Sequence, residues 1–120
     1  MKIKVQYSTM IVKNLAESVA FYRDILGFRE GYHVDFGPAG GITIMESDGG
    51  ACVELIESKD YDVGLYSVGT DVDDLEEVMA HMKANGVEIT RGPIRTTVGV
   101  MAFVQDPNGV NICLIQHDKH

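Results

Sequence analysis

The stretch YSTMIVKNLAESVAFYRDILGF, residues 7–28, decides the fold, because it contains a strand, a helix and the start of another strand. Polar and apolar residues alternate from Lys2 to Val12, which predicts a half-buried strand. Asn14 then offers a side-chain oxygen to the first turn of a helix, and Glu17 completes a capping-box pattern. Gly27 is typical of a residue that ends such a helix. The inward stripe of the helix is predicted to be Leu15, Val19, Tyr22 and Leu26.

The same plan recurs sixty positions later, between Ser67 and Val87. Asn14 corresponds to Asp74 and Glu17 to Glu77, so the capping pattern repeats at a constant offset. Such a repeat indicates two copies of one supersecondary unit, each about half of the chain. The buried stripe of the second helix is predicted to be Leu75, Val78, Met79 and Met82, with both methionines as core residues.

Short strands joined by turn-rich links follow each helix and predict an antiparallel meander in each half. The predicted strands are Phe28–Phe36, Ile42–Glu46 and Cys52–Glu57 in the first half, and Val87–Thr90 with Ile94–Thr96, Val98–Gln105 and Asn111–His117 in the second. The link from Asp106 to Gly109 has the composition of a type I turn. The fold class is therefore α+β, with two β-α-β-β-β modules at about residues 1–58 and 65–117 of a single domain, 1–120.

The composition excludes some classes of function. Hydrophobic residues make up 45% and charged residues 23% of the 120 residues, as is ordinary for a globular protein. The net charge of −8 argues against binding to nucleic acid, which needs clustered Lys and Arg. The longest apolar run, residues 98–104, is too short to span a bilayer, and the start of the chain lacks the apolar core of a signal peptide. Two cysteines make no disulfide framework, so a cytoplasmic protein with reduced thiols is expected.

Three runs carry a resemblance to a known family: NLAESVAFYRDILGF at 14–28, the VDDL and NGV segments between 72 and 87, and FVQDPNG at 103–109. Together they resemble the vicinal oxygen chelate superfamily, which includes glyoxalases, bleomycin-resistance proteins and extradiol dioxygenases. The resemblance covers essentially the whole chain. It implies two modules whose curved sheets form a ligand-binding cup, commonly completed by a second chain in a dimer.

The metal-dependent members of that superfamily place one ligand on the first and last strands of each module. These positions correspond here to Tyr7, Glu54, Ser67 and Cys113, and only Glu54 is of the His, Glu or Gln type that those enzymes need. Tyr and Ser hydroxyls are poor ligands at neutral pH, because they hold their protons. We therefore expect no metal and no other cofactor. An alternative site would combine Glu54, Cys113 and His117, since His117 shares a strand face with Cys113.

Glu54 is expected to point into the cup, where a carboxylate is costly unless it is paired. It would meet a cationic or hydrogen-bonding ligand group or act as a base, or else Tyr7 or a backbone donor would satisfy it. No set of nucleophile, base and orienting group is visible, so no catalytic residue is predicted. The predicted ligand-binding residues are Tyr7, Met45, Glu54, Ser67, Met101, Phe103 and Cys113.

The sequence favours a metal-independent small-molecule-binding protein of the bleomycin-resistance type over an enzyme. Its ligand would be apolar or aromatic, with a cationic compound as one option. A rival hypothesis is a glyoxalase-like lyase or isomerase with a non-standard metal site. A third is a regulatory or structural dimer whose cup no longer binds a ligand. A small-molecule ligand and a second copy of the chain are the expected partners, with neither nucleic acid nor membrane.

Overall fold

The computed structural model describes residues 1–107 and 109–119, which fall into two compact units. The first unit is Tyr7–Tyr66. The second unit combines Met1–Gln6 with the residues from Ser67 onward. The expectation that the chain is a single domain stays a prediction.

The first unit contains strands of a sheet, a helical segment after the first strand and a short 3-10 helix at Gly37–Ala39. Strand β1 (Ile3–Val12) enters it at Tyr7 and leads to helix α1 (Leu15–Ala20), which continues as a π-helical turn. The remaining strands are β2 (Arg29–Asp35), β3 (Gly41–Glu46) and β4 (Cys52–Glu57). Strands β2, β3 and β4 form the antiparallel meander that the sequence predicts, and β4 pairs in parallel with β1.

The second unit repeats this connectivity. Its elements are β5 (Gly64–Val72), α2 (Leu75–Ala84), β6 (Arg91–Arg95), β7 (Gly99–Gln105) and β8 (Asn111–His117). Strand β5 pairs in parallel with β8, while β8, β7 and β6 form the antiparallel meander. The prediction of an α+β fold built from two β-α-β-β-β modules is therefore confirmed.

Both helices begin at the predicted caps. The side-chain oxygen of Asn14 accepts a hydrogen bond from the backbone N–H of Glu17 at 2.9 Å. Asp74 accepts the equivalent bond from Glu77 at 3.2 Å. These bonds satisfy backbone donors that the first turn of a helix leaves without partners.

Each helix packs on one face of the sheet in its own unit. In the first unit the buried core consists of Val19, Met45 and Leu55. The core of the second unit consists of Val72, Leu75, Val78, Ala102, Val104 and Leu114, with Met79 and Met82 partly buried against it. The two methionines are core residues, as the sequence predicts.

The end of the first helix differs from its prediction. Leu26 was expected in the inward stripe, but 47% of its surface is exposed. The segment Phe21–Ile25 is a π-helical turn, in which the N–H of Leu26 donates to the carbonyl of Phe21 at 3.3 Å. A π-turn takes more residues per turn than an α-turn, so it rotates Leu26 away from the sheet.

The first strand after α2 is also shifted. Residues 87–90 are not a strand, and β6 instead runs through the Gly92–Pro93 pair, which lies between the two predicted segments Val87–Thr90 and Ile94–Thr96. Val87 and Ile89 are partly buried against the helical core instead. Strand β6 is bonded only to β7 among the described strands, and an outer strand tolerates the missing N–H of Pro93.

The link between β7 and β8 contains a hydrogen-bonded turn. In the predicted turn after β7, the N–H of Gly109 donates to the carbonyl of Asp106 at 3.0 Å, while Asn108 lies outside the described residues. No helix in residues 1–107 or 109–119 has the length and apolar character needed to cross a membrane.

Candidate ligand site

The helix-free face of the first sheet carries a carboxyl group. Met45 and Leu55 pack under α1, and strand side chains alternate between the two faces of a sheet. The register aligns Thr9 and Ile44 with Glu54. These three residues therefore lie on the face opposite the helix, and Tyr7 joins them two positions before Thr9.

Glu54 is held by a side chain from the neighbouring strand. The hydroxyl of Thr9 donates a hydrogen bond to Oε1 of Glu54 at 2.8 Å, and Thr9 itself is buried. The other carboxyl oxygen, Oε2, makes no hydrogen bond with the described part of the chain. Glu54 thus has one oxygen that is positioned by the protein and one that is available to a ligand.

Burial raises the pKa of Glu54 above its ordinary value of 4.5, because the charged form loses hydration. The hydrogen bond from Thr9 opposes that effect, since it stabilises the carboxylate. A carboxyl group with a raised pKa can accept a proton and return it at a higher pH than an exposed one. A hydrogen bond from a ligand also stabilises this partly buried carboxyl group more than it would stabilise an exposed one.

Thr9 is a site residue that the sequence analysis missed. The sequence offered Tyr7 or a backbone group as the partner of Glu54, whereas the described bond comes from Thr9. One feature of the sequence could have identified Thr9: it follows Tyr7 by two residues, so both side chains lie on the same face of the strand. Tyr7 pairs with Cys52 in the register and is half-buried on that face.

Met45 does not belong to this site, which corrects the sequence-based prediction. Its side chain is fully buried, with 0% exposed, and it packs with Val19 and Leu55. The prediction was wrong because both faces of strand β3 carry apolar as well as polar residues, so its alternation does not show which side chains face the helix. Ile44, which is paired with Glu54, takes the place predicted for Met45.

The other four predicted ligand-binding residues lie in the second unit, on the helix-free face of its sheet. Cys113 pairs with Phe103 there, and its Sγ lies 3.9 Å from the Sδ of Met101. Ser67 and Cys113 are buried, with 4% and 6% of their surface exposed. The guanidinium of Arg91 lies 5.7 Å from the centre of the Phe103 ring. A cationic ligand stacked on Phe103 would therefore compete with the guanidinium of Arg91 for the aromatic ring.

The same face holds a pair of residues that the sequence analysis did not connect. The Nδ1 atom of His117 lies 2.6 Å from Oδ1 of Asp71. The sequence placed His117 on the face of Cys113, which the alternation of β8 confirms, but it did not identify Asp71. The two residues are 46 positions apart, so only the parallel pairing of β5 and β8 brings them together.

The residues at the superfamily's metal-binding positions do not fit a divalent metal. Tyr7 and Ser67 offer hydroxyl groups, which are poor ligands at neutral pH. Glu54 already accepts a hydrogen bond on one of its oxygens, and Cys113 is a buried thiol in contact with Met101. In residues 1–107 and 109–119, no group of three or more His, Cys, Asp or Glu side chains is arranged to hold a metal.

The fold and this placement of residues define the class of protein. The chain belongs to the Glyoxalase/Bleomycin resistance protein/Dioxygenase superfamily, whose family model matches residues 4–114. The resemblance seen in the sequence is thereby confirmed.

Individual relatives support this assignment along the whole chain. The lactoylglutathione lyase of Neisseria meningitidis serogroup A is 32% identical, over 95% of this chain and 91% of that protein. The lactoylglutathione lyase of Haemophilus influenzae is 28% identical, over 96% and 93%. A crystal structure of methylmalonyl-CoA epimerase from Mycobacterium tuberculosis superposes with a TM-score of 0.81 at 19% identity, over 97% of this chain and 89% of that one. That likeness shows the fold alone.

These relatives do not support the preference for a binding protein over an enzyme. They are named as lyases and as an epimerase.

Proposed function

We propose that this protein binds a small organic molecule over the helix-free face of its first sheet, with the carboxyl group of Glu54 as the polar recognition group. The observation that carries the proposal is the partly buried Glu54, which Thr9 holds by one oxygen. A buried carboxylate is costly unless it is paired, so a ligand that donates to Oε2 would recover that cost. Tyr7 on the same face supplies an aromatic surface for a ring.

The proposed ligand is an apolar or aromatic compound that carries a hydrogen-bond donor or a positive charge. A hydrogen bond to a charged group contributes roughly 1.5–3 kcal/mol, and an aromatic contact roughly 0.5–1.5 kcal/mol. Both contributions favour planar cations over neutral or anionic compounds of equal size.

A thermal-shift panel of matched aromatic cations, neutral compounds and anions tests this ligand class. We expect cations to stabilise the protein most, and Glu54→Gln to weaken their binding about 10- to 150-fold, which corresponds to the loss of one charge-assisted hydrogen bond. Glu88→Gln is the matched control, since Glu88 is exposed and the change in charge is the same. Stronger stabilisation by anions, or equal binding by Glu54→Gln, would show that Glu54 has only a structural role.

We also propose that this binding needs no metal, because three of the four superfamily positions hold Tyr7, Ser67 and Cys113. Elemental analysis of protein purified without chelators measures the metal content directly. Near one equivalent of zinc, nickel, iron or manganese, lost in Glu54→Ala, would contradict the proposal.

A second candidate function is a lyase or isomerase, which the names of the relatives favour. In that case Glu54 would be the proton acceptor, for which its raised pKa is suited. Incubation with lactoylglutathione, followed through its thioester absorbance, tests the activity of those relatives on this chain. Turnover that Glu54→Gln abolishes and Glu88→Gln retains would favour the enzyme. Absence of turnover with and without added zinc or nickel would favour the binding protein.

A further inference from the structure

The Asp71–His117 pair has the geometry of a base held by an orienting carboxylate. Its two atoms are 2.6 Å apart, on the neighbouring strands β5 and β8. An ionised carboxylate only accepts hydrogen bonds, so Nδ1 of His117 is the donor to Asp71, and in the neutral ring the lone pair is then on Nε2. The side chains are 37% and 33% exposed, which leaves them accessible to a small molecule.

The internal repeat shows that the fold does not require this pair. Asp71 corresponds to Ile11 in the first module, through the same sixty-residue offset that relates the helix caps. His117 corresponds to Ser58, because the preceding residues, Gln116 and Glu57, make the same contact with the first N–H of their helices. The first module therefore has the same strand connectivity with an apolar residue and a hydroxyl at these two places.

Apolar residues flank the pair on its own sheet. Ile115, which is opposite Asp71 in the register, is almost fully buried, and it pairs in turn with Met101. Apolar side chains thus border the imidazole on its own sheet. The carboxylate of Asp118, next along the chain, is held by the guanidinium of Arg95 at 2.7 Å and so has its own partner.

We propose that His117 is a general base for a ligand or water hydroxyl group, and that Asp71 is its positioning residue. The O–H bond of that group breaks, its electron pair stays on the oxygen, and a new N–H bond forms at Nε2. The Asp71 carboxylate offsets the positive charge that the imidazole gains, and the proton returns when the product leaves. Imidazole is the side chain that most often performs this transfer near neutral pH. The site lies in the second unit and does not depend on the role proposed for Glu54.

Hydrolysis of p-nitrophenyl acetate is the probe, because a base must take a proton from the water that attacks the ester. The water oxygen bonds to the ester carbon, and p-nitrophenolate leaves with the electron pair of the broken C–O bond. We expect His117→Gln to lower the protein-dependent rate at least 10-fold and Asp71→Asn to lower it at least 3-fold. His81→Gln is the control and should retain the full rate, since His81 lies on the exposed side of α2. A rate within twofold of the parent in His117→Gln would overturn the proposal.

Nitrogen NMR of the histidine rings separates a base from a structural ion pair. We expect His117 to be protonated on Nδ1 in the neutral form, and Asp71→Asn to increase the Nε2-protonated form. An Nε2-protonated ring in the parent protein would contradict the assigned orientation. The double variant Asp71→Ile with His117→Ser gives the second module the residue types found at these places in the first module. It should therefore fold but show no protein-dependent ester hydrolysis. A double variant that folds and retains the rate would also overturn the proposal.

Discussion

At the scale of single residues, Glu54 shows how two opposing influences set the properties of a site. Burial favours its neutral form, while the hydrogen bond from Thr9 favours its charged form. Burial is the larger influence, so the pKa of the carboxyl group is raised in the folded protein. The consequence is a dependence of stability on pH, because the unfolded chain releases this proton at a lower pH.

We predict that the contribution of Glu54 to the free energy of unfolding decreases as the pH rises. Between the unfolded pKa of Glu54 and its raised folded pKa, the folded protein binds more protons than the unfolded chain, so stability falls through that window. Glu54→Gln removes this decline, and the variant should be more stable than the parent above the window and lose that advantage at more acidic pH. Urea unfolding across about pH 4–8 measures the difference. Parallel curves for the two proteins would contradict a raised pKa.

Met45 provides a second prediction at this scale. Because its side chain is fully buried in the first core, Met45→Ala should lower the free energy of unfolding by about 2–5 kcal/mol. Met45→Leu keeps the volume and should cost less than about 1.5 kcal/mol. Denaturant unfolding of both variants provides the measurement. A near-neutral Met45→Ala would mean that the side chain lies in an open site after all.

At the scale of elements, each helix is joined to the last strand of its module by a side chain. The first backbone N–H of α1, on Leu15, donates to Glu57 at 2.8 Å, and that of α2, on Leu75, donates to Gln116 at 2.8 Å. These contacts add to the caps at Asn14 and Asp74, so two of the donors at each helix start are satisfied. The same contact therefore occurs in both modules, with the carboxylate of Glu57 in the first and the amide of Gln116 in the second.

We predict that the capping residue of α2 contributes measurably to stability. Asp74→Ala should cost about 1 kcal/mol, the usual effect of removing an N-cap side chain. Asp73→Ala removes the same charge one position earlier, from an exposed residue, and should change stability by less than about 0.5 kcal/mol. Equal effects of the two substitutions in thermal unfolding would show that charge, and not the cap, is responsible.

At the scale of the whole molecule, both units expose large apolar side chains, and most of them lie on the first unit. On the first unit these include Phe21, Ile25, Leu26, Tyr32 and Phe36, each with at least 47% of its surface exposed. Contiguous apolar surface is commonly covered by a partner, and Phe21 and Ile25 line one groove on the first helical segment. Together with the resemblance to the superfamily, they support the proposal that the protein forms a homodimer.

We expect light scattering at micromolar concentration to give twice the 13.2 kDa mass of the chain. Ile25→Glu, which places a charge on the most exposed of these side chains, should then shift the protein toward the monomer. A monomeric mass for the parent protein at every accessible concentration would refute the dimer.

The amino-acid sequence by itself determined the type and order of the elements and the superfamily, but not the bounds of β6 or the π-helical end of the first helix. The caps at Asn14 and Asp74 and the apolar stripe of α2 were predicted because such signals act within one or two helical turns. The repeat of these signals at a fixed offset then predicted two β-α-β-β-β modules. Glu54 was singled out by its position in the family pattern, and its role as a ligand-binding residue stays a prediction.

Only the tertiary structure decided which side chains meet. Thr9 lies 45 residues from Glu54, and Asp71 lies 46 residues from His117, so strand register alone brings each pair together. Register also decided that Met45 faces the core, because a strand with apolar residues on both faces fits either orientation locally. The physical reason is the same in each case: a shift of one residue exchanges the two faces of a strand, and packing over the entire sheet selects one of them.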